Sequence, residues 1–210
     1  MKLEVRKIVG DFFDIEKIEL PSWLSSNITN KNAKLSSHLW STSCAEKIRL
    51  CELKVSNKFY AESLVIYPKR ESFLPVFGTE FLNISNKKYF GAIDFHPLSK
   101  DKLYLSYLND FPNTKITDLK RYDISRFFSD KFWIKKSSAD FYSEYCIWVK
   151  CYLHQYKKMI DSGKTGNPID TESFEDYNRY MSNNDPAFGI LKSYFSEHFA
   201  EDYINQFLFC

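Results

Sequence analysis

The sequence predicts an α+β domain in which helices cover an antiparallel β-sheet. Two observations support this fold class. Four β-rich segments separated by turn residues follow one another between residues 47 and 95. Strongly periodic helical segments then occupy the chain from residue 140 onwards. Strands that precede helices favour α+β over an alternating α/β topology, and 210 residues suit one domain over residues 1–210.

The β-rich segments are expected to form a meander of consecutive strands. Their predicted bounds are Lys47–Val55, Phe59–Tyr67, Val76–Ile84 and Lys88–Phe95. In the first strand, apolar residues keep a spacing of two up to Leu50 and again from Leu53, and the break between them predicts a β-bulge. The preceding region, residues 1–45, is polar and rich in Ser and Asn, and it carries no predicted strand. A fifth, short strand is predicted at Phe132–Lys135.

The clearest helix is predicted from Asp140 to Asp161, where apolar and aromatic residues recur at i, i+3 and i+4. Shorter elements are predicted from turn and cap residues. They are a helix at Lys100–Asn109, a loop at Gly163–Asp170, a helix at Glu172–Met181 capped by Thr171, a helix opened by Asp185 and Pro186, and a helix from Ser196 to Phe209.

The charge balance and the cysteines restrict the class of protein. Lys and Arg number 29 and Asp and Glu 27, so a net charge of +2 provides no overall field for nucleic acid. Local basic clusters are either solvated surface or a docking site for a small acidic protein. The five cysteines show no CxxC spacing and are expected as buried thiols. With no signal peptide and no apolar run of 18 residues, we expect a reduced cytosolic or stromal protein outside the membrane.

Isolated carboxylates remain once the common catalytic motifs are excluded. The sequence has no nucleophile elbow, phosphate-binding loop, dinucleotide fingerprint or zinc motif, and its four histidines are scattered, so no metal site is predicted. Glu80 lies on a predicted strand and shares one face with Val76 and Gly78. It is either a solvated strand residue or a proton donor in an apolar pocket, and alternation alone favours the solvated residue.

Two further acids are equally ambiguous. Asp185 precedes Pro186 at a predicted helix start, where Asp is a common N-cap, so the residue pattern alone favours a structural role. Asp94 lies in an apolar strand and is a candidate for burial. Neither acid identifies a reaction by itself.

Several segments, taken in order and spacing, resemble the ferredoxin-dependent bilin reductases over about residues 39–209. The shared segments are Tyr67-Pro68, Leu74 to Glu80, Asp94 to Leu98, the long helix, Asp185 to Gly189 and Phe207 to Phe209. The resemblance implies an α/β/α sandwich that binds biliverdin IXα between the sheet and the C-terminal helices. It also implies that the protein holds no metal or flavin. Reduced 2Fe–2S ferredoxin would supply electrons one at a time, and the protein would supply protons to a bilin radical.

The resemblance assigns catalytic roles to two acids. Glu80 stands where the family has the aspartate of an FGxD motif, so the acid is kept with one more methylene, a reach of about 1.5 Å. Asp185 corresponds to a second acid on the helical side of the pocket. Ser63 stands where several members have His or Asn beside the bilin, and it cannot act as a protonated imidazole. The His-assisted four-electron route to phycocyanobilin is therefore not expected.

Three more residues complete the predicted substrate-binding set. Lys135 corresponds to a basic residue of the sheet that binds a bilin propionate, and a lysine would bind it as a point charge. Phe77 and Asp94 belong to the shared motifs and are predicted to contact the bilin.

Within the family, the motifs most resemble those of enzymes that make 15,16-dihydrobiliverdin by a two-electron reduction of the C15=C16 bridge. Two alternatives stay open: a four-electron phycoerythrobilin synthase of the phage type, and a bilin-binding protein that has lost activity. The implied partners are ferredoxin, the bilin, and a heme oxygenase or second bilin reductase for transfer of bilins. We expect a monomer in a cyanobacterial or phage-infected host cytosol, or in a plastid stroma.

Overall fold

An eight-stranded antiparallel sheet is the centre of the fold in this computed structural model, which describes residues 4–98, 106–109, 111, 127–129, 131–162 and 169–210. The strands are β1 (Glu16–Lys17), β2 (Asn27–Asn30), β3 (Ala33–Ser41), β4 (Ala45–Val55), β5 (Phe59–Pro68), β6 (Val76–Ile84), β7 (Lys88–His96) and β8 (Trp133–Ser137). They lie in the order β1-β3-β4-β5-β6-β7-β8, and β2 pairs with the first half of β3. The predicted meander is confirmed.

Helices cover both faces of the sheet. Those of the described residues are α1 (Val5–Phe12), α2 (Tyr142–Asp161), α3 (Thr171–Asn184), α4 (Ala187–Tyr194) and α5 (Glu197–Tyr203), which continues into a π-helical turn at Ile204–Leu208. α1 and α2 share one apolar core with the sheet. α3, α4 and α5 pack against the opposite face. The α+β class and its three layers, which the sequence and the resemblance led us to expect, are therefore confirmed.

Burial of both faces explains the irregular apolar spacing of β4. Leu50 packs in the core beneath α2, whereas Leu53 packs in the core beneath α4 and α5. The buried face changes along the strand, and its pairing with β5 stays regular from Lys47 to Val55. The predicted bulge between Leu50 and Leu53 is therefore wrong, and the register shift lies instead between Ala45 and Lys47.

The N-terminal region and the helix caps differ from the sequence predictions. Residues 4–45 form α1 and three strands, because β3 pairs along almost its whole length with β4 although Ser and Lys interrupt its apolar residues. Asp170, rather than Thr171, caps α3 by accepting a hydrogen bond from the Ser173 N–H at 2.7 Å. The predicted cap at Ser196 is confirmed. The predictions for residues 100–109 and 163–170 lie mostly outside the described residues.

Three lateral rows of residues on the face beneath α3, α4 and α5 position the site. The first row is Arg49, Val65, Gly78 and Asp94; the second is Cys51, Ser63, Glu80, Ala92 and Ile134; the third is Leu53, Ala61, Leu82, Phe90 and Lys136. Each row joins residues that are direct neighbours on adjacent strands, so their side chains point the same way.

Candidate active site

A cavity of about 490 Å³ lies between these rows and the helical layer. The rows form its floor, while α3 contributes Tyr177 and Met181, and the segment that joins α3 to α4 contributes Asp185. Its volume lies within the range of about 300–1,000 Å³ that small-molecule sites occupy. The arrangement brings four of the predicted site residues to one cavity, namely Ser63, Glu80, Asp94 and Asp185.

Glu80 lies on the cavity floor, directly opposite Ser63 on the neighbouring strand. The side chain is partly exposed, and the protein around the cavity shields it from bulk water. This burial raises the pKa of Glu80 to about 7, with a further contribution from the negative charge of Asp185. The positive charge of Arg49 acts in the opposite direction. Glu80 can therefore hold and release a proton near neutral pH, and the solvated interpretation does not describe its surroundings.

Asp185 combines a capping bond with a position at the cavity. Its Oδ1 accepts a hydrogen bond from the Ala187 N–H at 2.7 Å at the start of α4. Burial raises the pKa of Asp185, whereas the Ala187 N–H and the Arg49 charge favour the ionised carboxylate. The two roles that the sequence left as alternatives are thus compatible in one side chain.

Gly78 makes room for a buried histidine beside the acids. A Cβ atom at Gly78 would lie 2.8 Å from Cε1 of His96, a distance that ordinary packing does not allow. The Nδ1 atom of His96 is 2.7 Å from the Tyr177 hydroxyl, and burial lowers the pKa of His96 to about 3. The imidazole is neutral at physiological pH and contributes hydrogen bonds to the site rather than charge.

Asp94 is buried, as its apolar strand suggested, and Ser129 holds its carboxylate. The Ser129 N–H donates to Oδ2 at 2.7 Å, and the Ser129 hydroxyl donates to Oδ1. These bonds fix the carboxylate on β7, in the same lateral row as Arg49 and three strands away from it.

Phe77 and Lys135 do not reach this cavity, because the strand pleat places both on the α2 face. Phe77 packs in the core, with its ring centroid 5.5 Å from that of Phe95. The Lys135 ammonium lies 2.5 Å from a carboxylate oxygen of Glu144 in α2. The prediction that these two residues contact the bilin is therefore corrected, because neither lines the cavity. The register of β8 instead places Lys136, next to Phe90 in the third row, at the cavity.

Arg49 is the main cavity residue that the sequence predictions missed. It is 1% exposed, and its Nη1 lies 3.5 Å from the sulfur of Cys51. Its guanidinium lies 5.5 Å from the ring centroid of Phe209. Arg49 alternates with Ile48 and Leu50, so it lies on the face opposite to theirs. The sequence interpretation did not use this alternation, because it assumed a β-bulge in the same strand.

Comparison with known proteins agrees with this geometry. The model of the ferredoxin-dependent bilin reductase family matches residues 3–210. The 15,16-dihydrobiliverdin:ferredoxin oxidoreductases of Gloeobacter violaceus and Nostoc punctiforme are 26% and 27% identical to this chain, each over 94% of it and 88% of their own length. Phytochromobilin synthase from tomato, solved in complex with biliverdin, has the same fold, with a TM-score of 0.75 at 20% identity over 97% of this chain and 79% of its own.

Among the described residues, no helix is long and apolar enough to cross a membrane. The cavity floor carries Glu80, the acid that the resemblance led us to expect there. Because the family model covers almost the whole sequence, the chain belongs to the ferredoxin-dependent bilin reductase family.

Proposed function

We propose that the protein reduces biliverdin IXα to 15,16-dihydrobiliverdin with two electrons from reduced ferredoxin. Family membership and the names of the curated relatives support this reaction. The observation that carries the proposal is Glu80, an acid with a pKa raised to about 7 on the floor of a cavity of about 490 Å³. Because Glu80 opens into this cavity, its proton can reach a bound bilin, as the reduction requires.

The reaction adds two electrons and two protons across the C15=C16 double bond. Ferredoxin delivers its electrons singly, so a bilin radical forms between the two transfers. A bilin with an additional proton is cationic and accepts an electron more readily than the neutral bilin. Glu80 donates this proton, because an acid whose pKa lies near the working pH both loses and regains a proton efficiently. No permanently bound cofactor is required.

Asp185 supplies the second proton in this scheme. Glu80 belongs to the sheet and Asp185 to the helical layer, so a bilin in the cavity lies between two acids that approach it from different sides. The cap bond from the Ala187 N–H holds the Asp185 carboxyl in place. A fixed donor limits the positions on the radical that can receive the proton, which favours a single product.

Glu80 and Ser63 distinguish this site from the family pattern. The extra methylene of Glu80 moves its carboxyl by about 1.5 Å relative to an aspartate, and a shift of about 1 Å matters for proton transfer. Ser63, directly opposite, offers a hydroxyl and no second titratable group. The lack of a second titratable group at Ser63 favours the two-electron reduction, which needs fewer protons than a four-electron reduction.

Lys136 replaces Lys135 as the proposed partner of a bilin propionate. It is exposed and lines the cavity at its third row, so its ammonium can meet a carboxylate that remains in contact with water. We further propose that the chain acts as a monomeric single domain with a 2Fe–2S ferredoxin in a reducing compartment. Bilin transfer would connect it to a heme oxygenase and a second bilin reductase.

Product chromatography tests the proposed function. The purified protein is incubated without oxygen with biliverdin, ferredoxin, ferredoxin reductase and NADPH, and the pigments are separated after complete turnover. We expect 15,16-dihydrobiliverdin with its absorbance at shorter wavelength. Phycoerythrobilin as the end product would show the four-electron reaction, and bound but unchanged biliverdin would show a binding protein.

A further inference from the structure

Arg49 is a buried cation without an ion-pair partner among the described residues. Only 1% of its surface is exposed, and its Nε has no hydrogen-bond partner there. Its described polar contact is the Cys51 sulfur, a weak acceptor. A buried guanidinium without strong acceptors is costly, so its presence at the cavity points to an acceptor that a ligand brings.

The sheet register places Arg49 and Lys136 on opposite sides of Glu80. Each lies two strands and one row away from it, in opposite directions. With strands about 4.8 Å apart and alternate residues about 6.8 Å apart along a strand, each Cα lies about 12 Å from that of Glu80. Arg49 and Lys136 are therefore about 24 Å apart along this diagonal. They face opposite edges of any ligand that lies over Glu80.

The two edges of the cavity also differ in solvent access. Lys136 is exposed, and its row neighbours Phe90 and Leu82 are partly exposed, so this edge is the mouth. Arg49 lies at the closed edge, where Phe209 of the C-terminal segment covers it. A smaller cavity of about 120 Å³ continues from this edge beneath α4 and also contacts Arg49.

A bilin has matching edges. Its two propionates sit on the adjacent middle rings, and its two lactam carbonyls sit on the terminal rings, at the opposite edge when the pigment is coiled. The two propionates lie too close together for one to bind Lys136 while the other binds Arg49. The open mouth suits the charged propionates, because burying two carboxylates at the closed edge would cost their hydration.

On the basis of the proposed function, we infer that Arg49 donates hydrogen bonds to a terminal lactam carbonyl of the bilin. When an electron enters the conjugated system, negative charge develops on this oxygen, and a guanidinium stabilises it. Arg49 keeps its own proton throughout. The two electrons still come from ferredoxin, and the two protons from Glu80 and Asp185 form the new C–H bonds at C15 and C16 as the double bond becomes single. Arg49 is thus a catalytic residue that provides charge.

Arg49→Gln and Arg49→Lys test this inference, with the exposed Arg179→Gln as control. Each protein is assayed with biliverdin and with biliverdin dimethyl ester, whose propionates carry no charge. We expect the reduction rate of Arg49→Gln to fall on the order of 10²-fold with both substrates, and that of Arg49→Lys to fall less. Arg179→Gln should match the parent. A loss that disappears with the dimethyl ester would make Arg49 a propionate anchor and overturn the inference.

Infrared spectra of the parent protein test the same contact without a variant. Biliverdin labelled with ¹⁸O at the lactam carbonyls should show its C=O stretch at lower frequency when bound than in water. A lactam stretch that does not move would refute the inference even if Arg49→Gln fails to fold. This result is independent of the proposed function, which fails if the parent does not form 15,16-dihydrobiliverdin as its end product.

Discussion

Replacing Glu80 by Gln separates proton donation from bilin binding. Gln keeps the size and hydrogen-bonding ability of the side chain and has no titratable proton. A positioned general acid contributes about 10²–10⁴-fold, so we expect the reduction rate to fall within this range. The Kd for biliverdin should change by at most about fivefold, because one hydrogen bond contributes about 1 kcal/mol. Absorbance titration measures the Kd, and stopped-flow mixing with reduced ferredoxin measures the rate.

The raised pKa of Glu80 also sets the pH dependence of the first protonation. With a pKa of about 7, about half of the carboxyl is protonated at pH 7 and about a tenth at pH 8. The single-turnover rate of the parent should therefore fall about fivefold between these pH values, and the residual rate of Glu80→Gln should not follow this curve. A variant with the parental rate would remove Glu80 from the mechanism.

Glu62 supplies a matched control. Burial also raises its pKa to about 7, but it lies on the α2 face, where the Tyr60 and Tyr142 hydroxyls donate to it at 3.0 and 3.1 Å. Glu62→Gln should leave the rate and its pH profile unchanged. Since the pKa in the folded state exceeds the ordinary value of 4.5, the acid destabilises the fold increasingly between pH 4.5 and about 7. The variant should gain up to about 3 kcal/mol of unfolding free energy at pH 8 and little at pH 4, as urea denaturation would measure.

Three further predictions test the geometry of the site. Gly78→Ala should lower the unfolding free energy by about 1–3 kcal/mol, because the added Cβ meets His96 at 2.8 Å; an unchanged thermal midpoint would contradict the close packing. Lys136→Gln should weaken biliverdin binding about fivefold, whereas Lys135→Gln should not, and equal losses would contradict the register of β8. Asp185→Asn should prolong the bilin radical by about 10²-fold or more, as electron paramagnetic resonance would detect; decay at the parental rate would exclude it as second donor.

Alternation along β6 correctly predicted which residues share the face of Glu80. It did not predict what covers that face, because the covering helices begin more than 90 residues later in the chain. The solvated interpretation of Glu80 followed from a sheet with one wet face, whereas this sheet is buried on both. Local spacing specifies the direction of a side chain, and only tertiary structure determines its surroundings.

The basic residues of the cavity were also hard to assign from the sequence, because an error of one position places a side chain on the opposite face of the sheet. The resemblance assigned a propionate partner to Lys135 on β8, and a shift of one position exchanges Lys135 for Lys136 across the sheet. Arg49 was missed for a related reason. Its strand changes the face on which its apolar residues are buried, so the pattern suggested a bulge where the pairing is regular. A buried arginine in such a strand is the feature that could have identified the cavity face.

Glu62 and Glu80 show why a raised pKa does not by itself identify a proton donor. The two acids lie on neighbouring strands, and burial gives both a pKa of about 7. Glu62 is 2% exposed and is held by tyrosines in the layer beneath α2, whereas Glu80 opens into the cavity and faces Asp185 across it. Desolvation raises the pKa of both carboxyl groups. Only Glu80 lies on the cavity face of the sheet, so only its proton is accessible to a bilin. The face of the sheet on which an acid lies therefore determines whether it can donate a proton to the bilin, and its pKa determines the pH range in which it does so.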